Sequence, residues 1–339
     1  MSVPVNENLA LPMLVSRLKA AGETTRLRLL RLLADGELTV TELTQILGQS
    51  QPRVSRHLKL LVEAGLIERL PEGSWVFYRL TEGEGQGGAF IRRLLGELRE
   101  DEPRLQADQR RRTEVTASRA EAAAQYFAEN AAGWDRLRAL YIPEAEVEAQ
   151  MLALLQPKPG DPPPDLLVDL GTGTGRAMEI LAPHFKRAIG FDVSHPMLSV
   201  ARVNLERAGM RNAHVRHGDL LAVPLQPASA SAVILHQVLH YLDNPAAAVA
   251  AAARLVAPGG RLLIADFAPH TLEFLRTEHA HRRLGFSEDE VSRFLRAAGL
   301  EITAVKHLAP RDADGLTVSL WLASAPQHAV PRKTLEAVS

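Results

Sequence analysis

Apolar positions recur along this chain with two different periods, and the change of period divides it. Residues 8–80 read as short helices followed by a hairpin. In TTRLRLLRLLAD, Leu27, Leu30 and Leu33 fall on one helical face and Gly36 closes the segment. TVTELTQILG predicts a second helix ending at Gly48. QPRVSRHLKLLVEAG predicts a third, with Ser50 placed to cap it and Pro52 in the first turn, where a missing N–H costs little. Val54, Leu58, Leu61 and Val62 form the apolar stripe of that third helix. LIERLPEGSWVFYRL alternates around Pro71, Glu72 and Gly73, the pattern of a two-stranded hairpin. Residues 89–112 return to a helical period with Phe90, Leu94, Leu95 and Leu98 on one stripe, and 113–150 read as further helix.

After PKPGDPPPD, a stiff loop at 157–165, the pattern becomes an alternation of strand and helix. LLVDLG, RAIGFDVS, AHVRHGDLLAVP, SAVILHQVLHYL and GGRLLIADF are strand-like, with amphipathic or alanine-rich helices between several of them. This predicts a doubly wound parallel sheet, whose ligands sit at the carboxyl ends of the strands. Asp169, Asp192, Asp219 and His236 all fall at such ends. LEITAVKHLAP and LTVSLWLASA are separated only by RDADG, and so short a loop joins antiparallel strands but not a parallel crossover.

At 339 residues the chain is long enough for two folded units and a connector. Its 46% hydrophobic and 23% charged residues are those of an ordinary globular protein. The longest small-residue run, AAAVAAAA at 246–253, is far shorter than the roughly 20 apolar residues that span a bilayer. MSVPVNENLALP lacks a basic region followed by an apolar block, so a cytoplasmic location and no membrane partner are expected. Cysteine is absent, which excludes disulfides, thiolate metal sites and cysteine nucleophiles. The net charge of −1 conceals one local bias: Gln49 to Lys59 holds Arg53, Arg56 and Lys59 and no acid.

That bias lies on the third helix. Ser50, Gln51, Arg53, Ser55, Arg56, His57 and Lys59 are the candidate DNA contacts, since Arg and Lys neutralise phosphates and Arg or Gln can read base edges. Charge alone fits a solvated helix face equally well. The run from Glu23 to Leu80, ETTRLRLLRLLADGELTVTELTQILGQSQPRVSRHLKLLVEAGLIERLPEGSWVFYRL, resembles the winged helix-turn-helix of the ArsR family of repressors in order and without large gaps. The resemblance implies a homodimer joined by the first and last helices of the domain, with one recognition helix on each half of an operator. Where many ArsR metal sensors carry cysteines, ELTVTEL holds Thr39 and Thr41, and 86–112 contains no histidine. No metal inducer is expected. The arginine triplet 110–112 reads as a solvated helix face rather than a DNA contact.

VDLGTGTG, residues 168–175, raises the question of which cofactor its glycines approach. A dinucleotide-binding GxGxxG would need a third glycine where Arg176 stands, so the turn alone leaves a nicotinamide cofactor and S-adenosylmethionine (SAM) both open. The parallel sheet with an antiparallel end, together with VDLGTGTG, GFDVS, GDL and PGG, makes residues 161–325 resemble class I SAM-dependent methyltransferases. The resemblance implies that Gly171, Thr172, Gly173 and Gly175 approach the methionine part of SAM, with Asp169 receiving its ammonium. Asp192, with Val193 beside it, would take the ribose hydroxyls. Gly218, Asp219 and Leu220 would meet the adenine, Met197 would cover its other side, and Gln237 and His236 would stand beside the sulfonium. Tyr126, Phe127 and Trp134 are candidates for a lid. The fold class expected is therefore two domains, an α+β winged helix-turn-helix and then an α/β doubly wound, Rossmann-like class I methyltransferase sheet with a C-terminal antiparallel hairpin. The expected boundaries are 1–112 for the first domain and its dimerisation helix, 113–160 for a helical connector and cofactor lid, 161–325 for the methyltransferase domain and 326–339 for a tail.

Methyl transfer from a sulfonium can proceed by positioning alone. If a base operates, His236 or His240 is the first suspect, against a reading in which His240 only packs at the strand end. Glu278 and His281 lie three apart over the acceptor side with His270 and His279, but no fourth ligand is evident, and an acceptor-lining or surface helix is expected without a metal. Arsenite is disfavoured as acceptor for want of thiols, and DNA because the fourth strand ends in LHQVLHY rather than an Asn/Asp–Pro–Pro–aromatic motif. Two functions follow: a regulator bound to operator DNA that also methylates a small molecule, or one whose second domain senses SAM or S-adenosylhomocysteine without turnover. A roomy polar acceptor pocket would favour the first and a pocket closed by packed side chains the second.

Overall fold

Leu29, Leu30, Leu33, Leu43, Ile46, Val54, Leu58 and Leu61, spaced for helices in the sequence, are buried together in one core. The computed structural model describes residues 10–72, 75–81, 86–99, 101–115, 117–118, 143–158, 160–279, 281–309 and 315–327. It divides the chain into two units, Met1–Glu121 and Ala122–Ser339.

In the first unit, α1 (Leu11–Ala21) and α2 (Thr24–Leu33) precede the two-residue strand β1 (Leu38–Thr39), then α3 (Val40–Leu47) and α4 (Gln51–Glu63). The hairpin is β2 (Ile67–Glu72) and β3 (Trp75–Leu80), paired from Ile67↔Leu80 to Glu72↔Trp75. β1 adds to its edge through Leu38↔Tyr78, a pairing too short to show as alternation in sequence. A capping box starts α3, with Thr39 Oγ1 accepting the Glu42 N–H and Glu42 Oε2 accepting the Thr39 N–H. Gly48, at φ 63°, ends it. Thr39, one of the positions considered for a metal ligand, is thus engaged in capping.

The single helix expected over 89–112 is two helices, α5 (Gln86–Gly96) and α6 over 103–115. Pro103 opens the second; its ring disfavours helical backbone at the residue before it and suits the first helical turn. The arginine triplet also needs correction, because two of its members turn inward. Arg111 donates to Asp108 Oδ1 at 2.7 Å and to the carbonyl of Ile46 at the end of α3, and Arg112 donates to the Asp35 carbonyl at 2.7 Å. Asp108, 1% exposed, also receives both Nε and Nη2 of Arg28 at 2.6 and 2.7 Å. These contacts tie α6 to α2 and to the end of α3.

The second unit is described from α7 (Glu144–Leu155) onward. Its strands are β4 (Leu166–Leu170), β5 (Arg187–Asp192), β6 (Ala213–His217), β7 (Ala230–His236), β8 (Val256–Phe267), β9 (Glu301–Leu308) and β10 (Val318–Ser324). They form one sheet in the order β6-β5-β4-β7-β8-β10-β9. β4 to β8 are parallel, and β10 runs antiparallel to both β8 and β9. Alternate residues feed two cores. Leu167, Ile234, Leu263 and Leu320 pack with α7, α8 (Arg176–Leu181) and α9 (His195–Arg207). Val168, Val233, Ile264 and Trp321 pack with α10 (Pro245–Leu255) and α12 (Glu288–Ala297). Arg261, midway along β8 but paired with Ala232 near the start of β7, donates to the carbonyls of Leu154 and Leu155, which places the C-terminus of α7 at the amino edge of the sheet and Glu144–Glu148 toward the carboxyl edge.

Candidate functional site

The glycine turn leaves β4 at the carboxyl edge of the sheet. Gly171 N and Thr172 N donate to the Phe191 carbonyl on β5 at 2.8 and 2.9 Å, so the turn is pinned across the neighbouring strand. Gly171, Gly173 and Gly175 all adopt positive φ, of 77°, 53° and 79°. A Cβ on Gly171 would run into the Val238 side chain and one on Gly175 would crowd Ala201 of α9 at 3.1 Å. One on Gly173 would meet nothing within 4 Å, so that glycine serves the backbone conformation and leaves its side of the turn open. Gly190, which sequence reasoning missed, makes room on β5: a Cβ there would stand 2.6 Å from Thr172 Oγ1.

Two carboxylates flank this turn. Asp169, 1% exposed within β4, accepts the Thr172 hydroxyl on Oδ2 at 2.7 Å, while its buried Oδ1 has no hydrogen-bond partner. Burial pushes its pKa up to about 7, against the lowering by Thr172, with Asp192 adding a smaller raising effect. Asp192 ends β5 and accepts the N–H of Gly173 on Oδ2 and of Ser194 on Oδ1, both at 2.8 Å. Each oxygen keeps acceptor capacity for a further donor.

The other expected residues divide. Gly218 donates its N–H to the Asp192 carbonyl at 2.9 Å, which brings the end of β6 beside β5. Asp219 is exposed, with Oδ1 accepting the Leu221 N–H. Val193 is 64% exposed and Met197 half-buried. Leu220, expected against an adenine ring, is 8% exposed and packs with Phe191. Gln237 holds φ 50°, a strained backbone for a non-glycine residue. His236 ends β7, and burial pushes its pKa down to about 4 despite the nearby charges of Asp266 and Glu148. Tyr126, Phe127 and Trp134 lie outside the described residues.

On the acceptor side, two of the candidate histidines are buried. His240 is 1% exposed; its Nδ1 is 2.8 Å from Asp266 Oδ1, and its ring is covered by His281 at a centroid distance of 4.2 Å. Asp266, absent from the expected residues, also accepts the N–H groups of Leu239 and Phe267 and so fixes the turn that carries His240. His281 is 3% exposed, and burial pushes its pKa down to about 3. It lies beyond the short helix α11 (Phe274–Glu278), so Glu278 and His281 do not share a helical face.

Sequence reasoning also passed over an ion pair. Arg176, the residue in place of a third dinucleotide glycine, donates Nε and Nη2 to Glu148 of α7 at 2.6 and 2.8 Å and Nη1 to Glu179 at 2.9 Å. A bidentate pair between distant segments carries no local sequence signal.

In the first unit, α4 exposes Gln51, Arg53, Arg56 and Lys59, and half-buries Ser55. Ser50 occupies the N-cap position and is exposed, but its hydroxyl makes no capping bond. His57 is a correction. Its side chain is only 14% exposed and turns toward Glu23, the N-cap of α2, with Nδ1 3.6 Å from the carboxylate. Burial lowers its pKa, so it adds little positive charge to the exposed face at neutral pH.

Comparison with known proteins assigns both units. Residues 23–69 match the bacterial regulatory protein, arsR family, and residues 168–264 match a methyltransferase domain. An uncharacterized HTH-type transcriptional regulator of Methanocaldococcus jannaschii is 40% identical over 65 residues, which are 19% of this chain and 73% of that protein. The chain belongs to the arsR family of bacterial regulatory proteins. This arsR-family chain is also 48% identical over 64 residues to the arsenical resistance operon repressor of Escherichia coli K12, covering 19% of its own length and 55% of the repressor's. It therefore spans about half the length of the arsenic-resistance regulators it matches. Its second unit carries the likeness to malonyl-[acyl-carrier protein] O-methyltransferase of Methylococcus capsulatus, 27% identical over 237 residues, 63% of this chain and 82% of that protein. The methyltransferase domain implies SAM as cofactor, and the residues present fit it: a buried, unpartnered carboxylate oxygen on Asp169 suits an ammonium, and a glycine turn open at Gly173 lies beside Asp192.

Proposed function

We propose that this arsR-type chain is a DNA-binding regulator, acting as a repressor, whose methyltransferase domain binds SAM and passes its methyl group to a small-molecule acceptor. The observation that carries the reading is the cradle at the carboxyl edge of the sheet, where the turn 171–175, the unpartnered oxygen of Asp169 and the end-on carboxylate of Asp192 come together. SAM supplies an activated methyl on a sulfonium, so this chain's residues need chiefly to bind and orient. His236, neutral at physiological pH, stands at the end of β7 without being a strong base.

The DNA-binding half rests on the exposed Gln51, Arg53, Arg56 and Lys59 of α4. Homodimerisation through the first helix is supported by Leu11, Val15 and Leu18, spaced along α1 and 74%, 38% and 48% exposed. A cytoplasmic location accords with a regulator of this type, and among the described residues no helix is long and apolar enough to cross a membrane.

A second reading has an observation of its own. His240, His281 and Phe267 pack their rings against one another on the acceptor side, which favours a sensor of SAM or S-adenosylhomocysteine that turns nothing over. Calorimetry on the full-length chain with SAM and with S-adenosylhomocysteine, with and without operator DNA, tests the shared core of both readings. Absence of binding to either ligand would remove both.

A further inference from the structure

Asp266 sets the state of His240. Both of its oxygens already accept a backbone N–H, Oδ1 from Phe267 and Oδ2 from Leu239, so the carboxylate acts as acceptor throughout and His240 Nδ1 carries the proton that it donates. The other nitrogen, Nε2, is then a bare lone pair, buried and without a partner. Two more imidazoles gather around Phe267 with it. His270 accepts the Leu272 N–H on Nδ1, which leaves Nε2–H as its donor, and that donor too is buried and unpartnered. His281 has neither ring nitrogen partnered, and burial holds the ring neutral, so it keeps one donor and one acceptor. The turn that carries His240 abuts the cofactor turn, since a Cβ on Gly171 would strike the side chain of Val238.

Buried polar groups without partners call for something that supplies the missing bonds. Lone pairs and N–H groups stand open together here, so the missing group must both donate and accept. A carboxylate cannot donate and an ammonium cannot accept, whereas a hydroxyl does both. We propose that this cluster is the hydroxyl subsite of the methyl acceptor and that the acceptor is a phenol or enol: His240 Nε2 takes the hydroxyl proton, while the N–H groups of His270 and His281 hold its oxygen. The inference rests on the methyl-transfer reading of the site and narrows it to O-methylation. The O–H bond breaks toward His240, the oxygen bonds to the methyl carbon, the electron pair of the broken S–C bond stays on sulfur, and His240 returns the proton to solvent at product release. Imidazole is a mild base, which suits a hydroxyl of pKa about 10, such as a phenol, far better than an alkanol near the 15.7 of water. Asp266 stabilises the imidazolium so formed. The rings of Phe267 and Tyr241 beside His240 suit a flat acceptor. His281 comes from the loop between β8 and α12, so the acceptor enters as that ring shifts, with Asp266 and His240 left in place. Buried water making the same bonds is the alternative.

Calorimetry on the full-length chain loaded with S-adenosylhomocysteine separates the two, with phenol, anisole and benzoate as probes. Phenol should bind at least about tenfold more tightly than anisole or benzoate, neither of which can donate. His240→Phe keeps a ring in the cluster but no lone pair; it should abolish the preference for phenol and leave the affinity for S-adenosylhomocysteine unchanged. With SAM the unaltered chain should convert phenol to anisole, and His240→Phe should slow that conversion at least about a hundredfold. Equal binding of the three probes, binding of none, no anisole formed, or a preference for phenol that survives His240→Phe would each overturn the proposal and leave the SAM reading standing. Should His240→Phe fail to fold, nitrogen NMR of the imidazoles in the unaltered chain decides: a bare ring nitrogen that shifts on adding phenol but not anisole supports the subsite, and no shift refutes it. An unaltered chain that binds no S-adenosylhomocysteine would instead sink the SAM reading together with the subsite.

Discussion

Asp169 and Asp192 flank the same turn under opposite conditions. Asp192 already accepts two backbone N–H groups and stays ready for more, whereas Asp169 is buried with one oxygen unpartnered. Asp192→Ala should remove two charge-assisted hydrogen bonds to the ribose, each worth roughly 1.5–3 kcal/mol, and weaken SAM binding at least about tenfold by calorimetry. Affinity equal to that of the unaltered chain would mean the ribose lies elsewhere. Asp169 carries a pH signature. Its pKa is raised from 3.8 to about 7, so the folded state holds a proton that the unfolded state has already released. Stability of the ligand-free chain therefore falls as pH rises from about 4 to 7, by an order-of-magnitude ceiling of about 4 kcal/mol. Asp169→Asn should raise the Tm at pH 8 and leave it nearly unchanged at pH 4, where both side chains are neutral. Scanning calorimetry at the two pH values checks this, and an equal shift at both would show that ionisation is not the cause.

At the scale of elements, α4 shows how one helix divides its residues. Val54, Leu58 and Leu61 fill the core, while Arg53, Arg56 and Lys59 stay exposed. Arg53→Ala or Arg56→Ala should weaken operator binding and lower the slope of log affinity against log salt by about 0.9 for each phosphate no longer neutralised. His57→Ala should leave that slope unchanged, because the imidazole turns toward Glu23. Filter binding across a salt series distinguishes the residues, and a slope reduced by His57→Ala would contradict the inward placement.

At the scale of the whole molecule, a DNA-binding face and a cofactor cradle reside on one chain. If SAM or S-adenosylhomocysteine alters operator affinity, the operator must alter ligand affinity by the same factor, with roughly 1–3 kcal/mol typical of such coupling. Operator titrations at fixed salt with no ligand, with SAM and with S-adenosylhomocysteine should therefore give separated curves. Three superimposable curves would exclude the second unit as the sensor and leave a methyltransferase joined to a regulator with another signal.

Much of this protein was legible in its sequence because the signals are local. The period of apolar residues marked α2 to α4, the five-residue spacer RDADG required the antiparallel pair β9–β10, and glycines at 171, 173 and 175 marked a turn that backbone sterics restrict. Boundaries that depend on one residue were less legible, as when Pro103 split an apparently continuous helical stripe. Side-chain direction was decided only by tertiary structure. Arg111 and Arg112 read as surface charges until α6 met the ends of α2 and α3, and His57 read as a DNA contact until α4 packed beside Glu23. His240 took its place from Asp266, 26 residues away, and Arg176 from Glu148, 28 away. Periodicity records which face of an element is buried, but not which partner a polar group meets, because that partner is brought from a distant segment by the packing of the core.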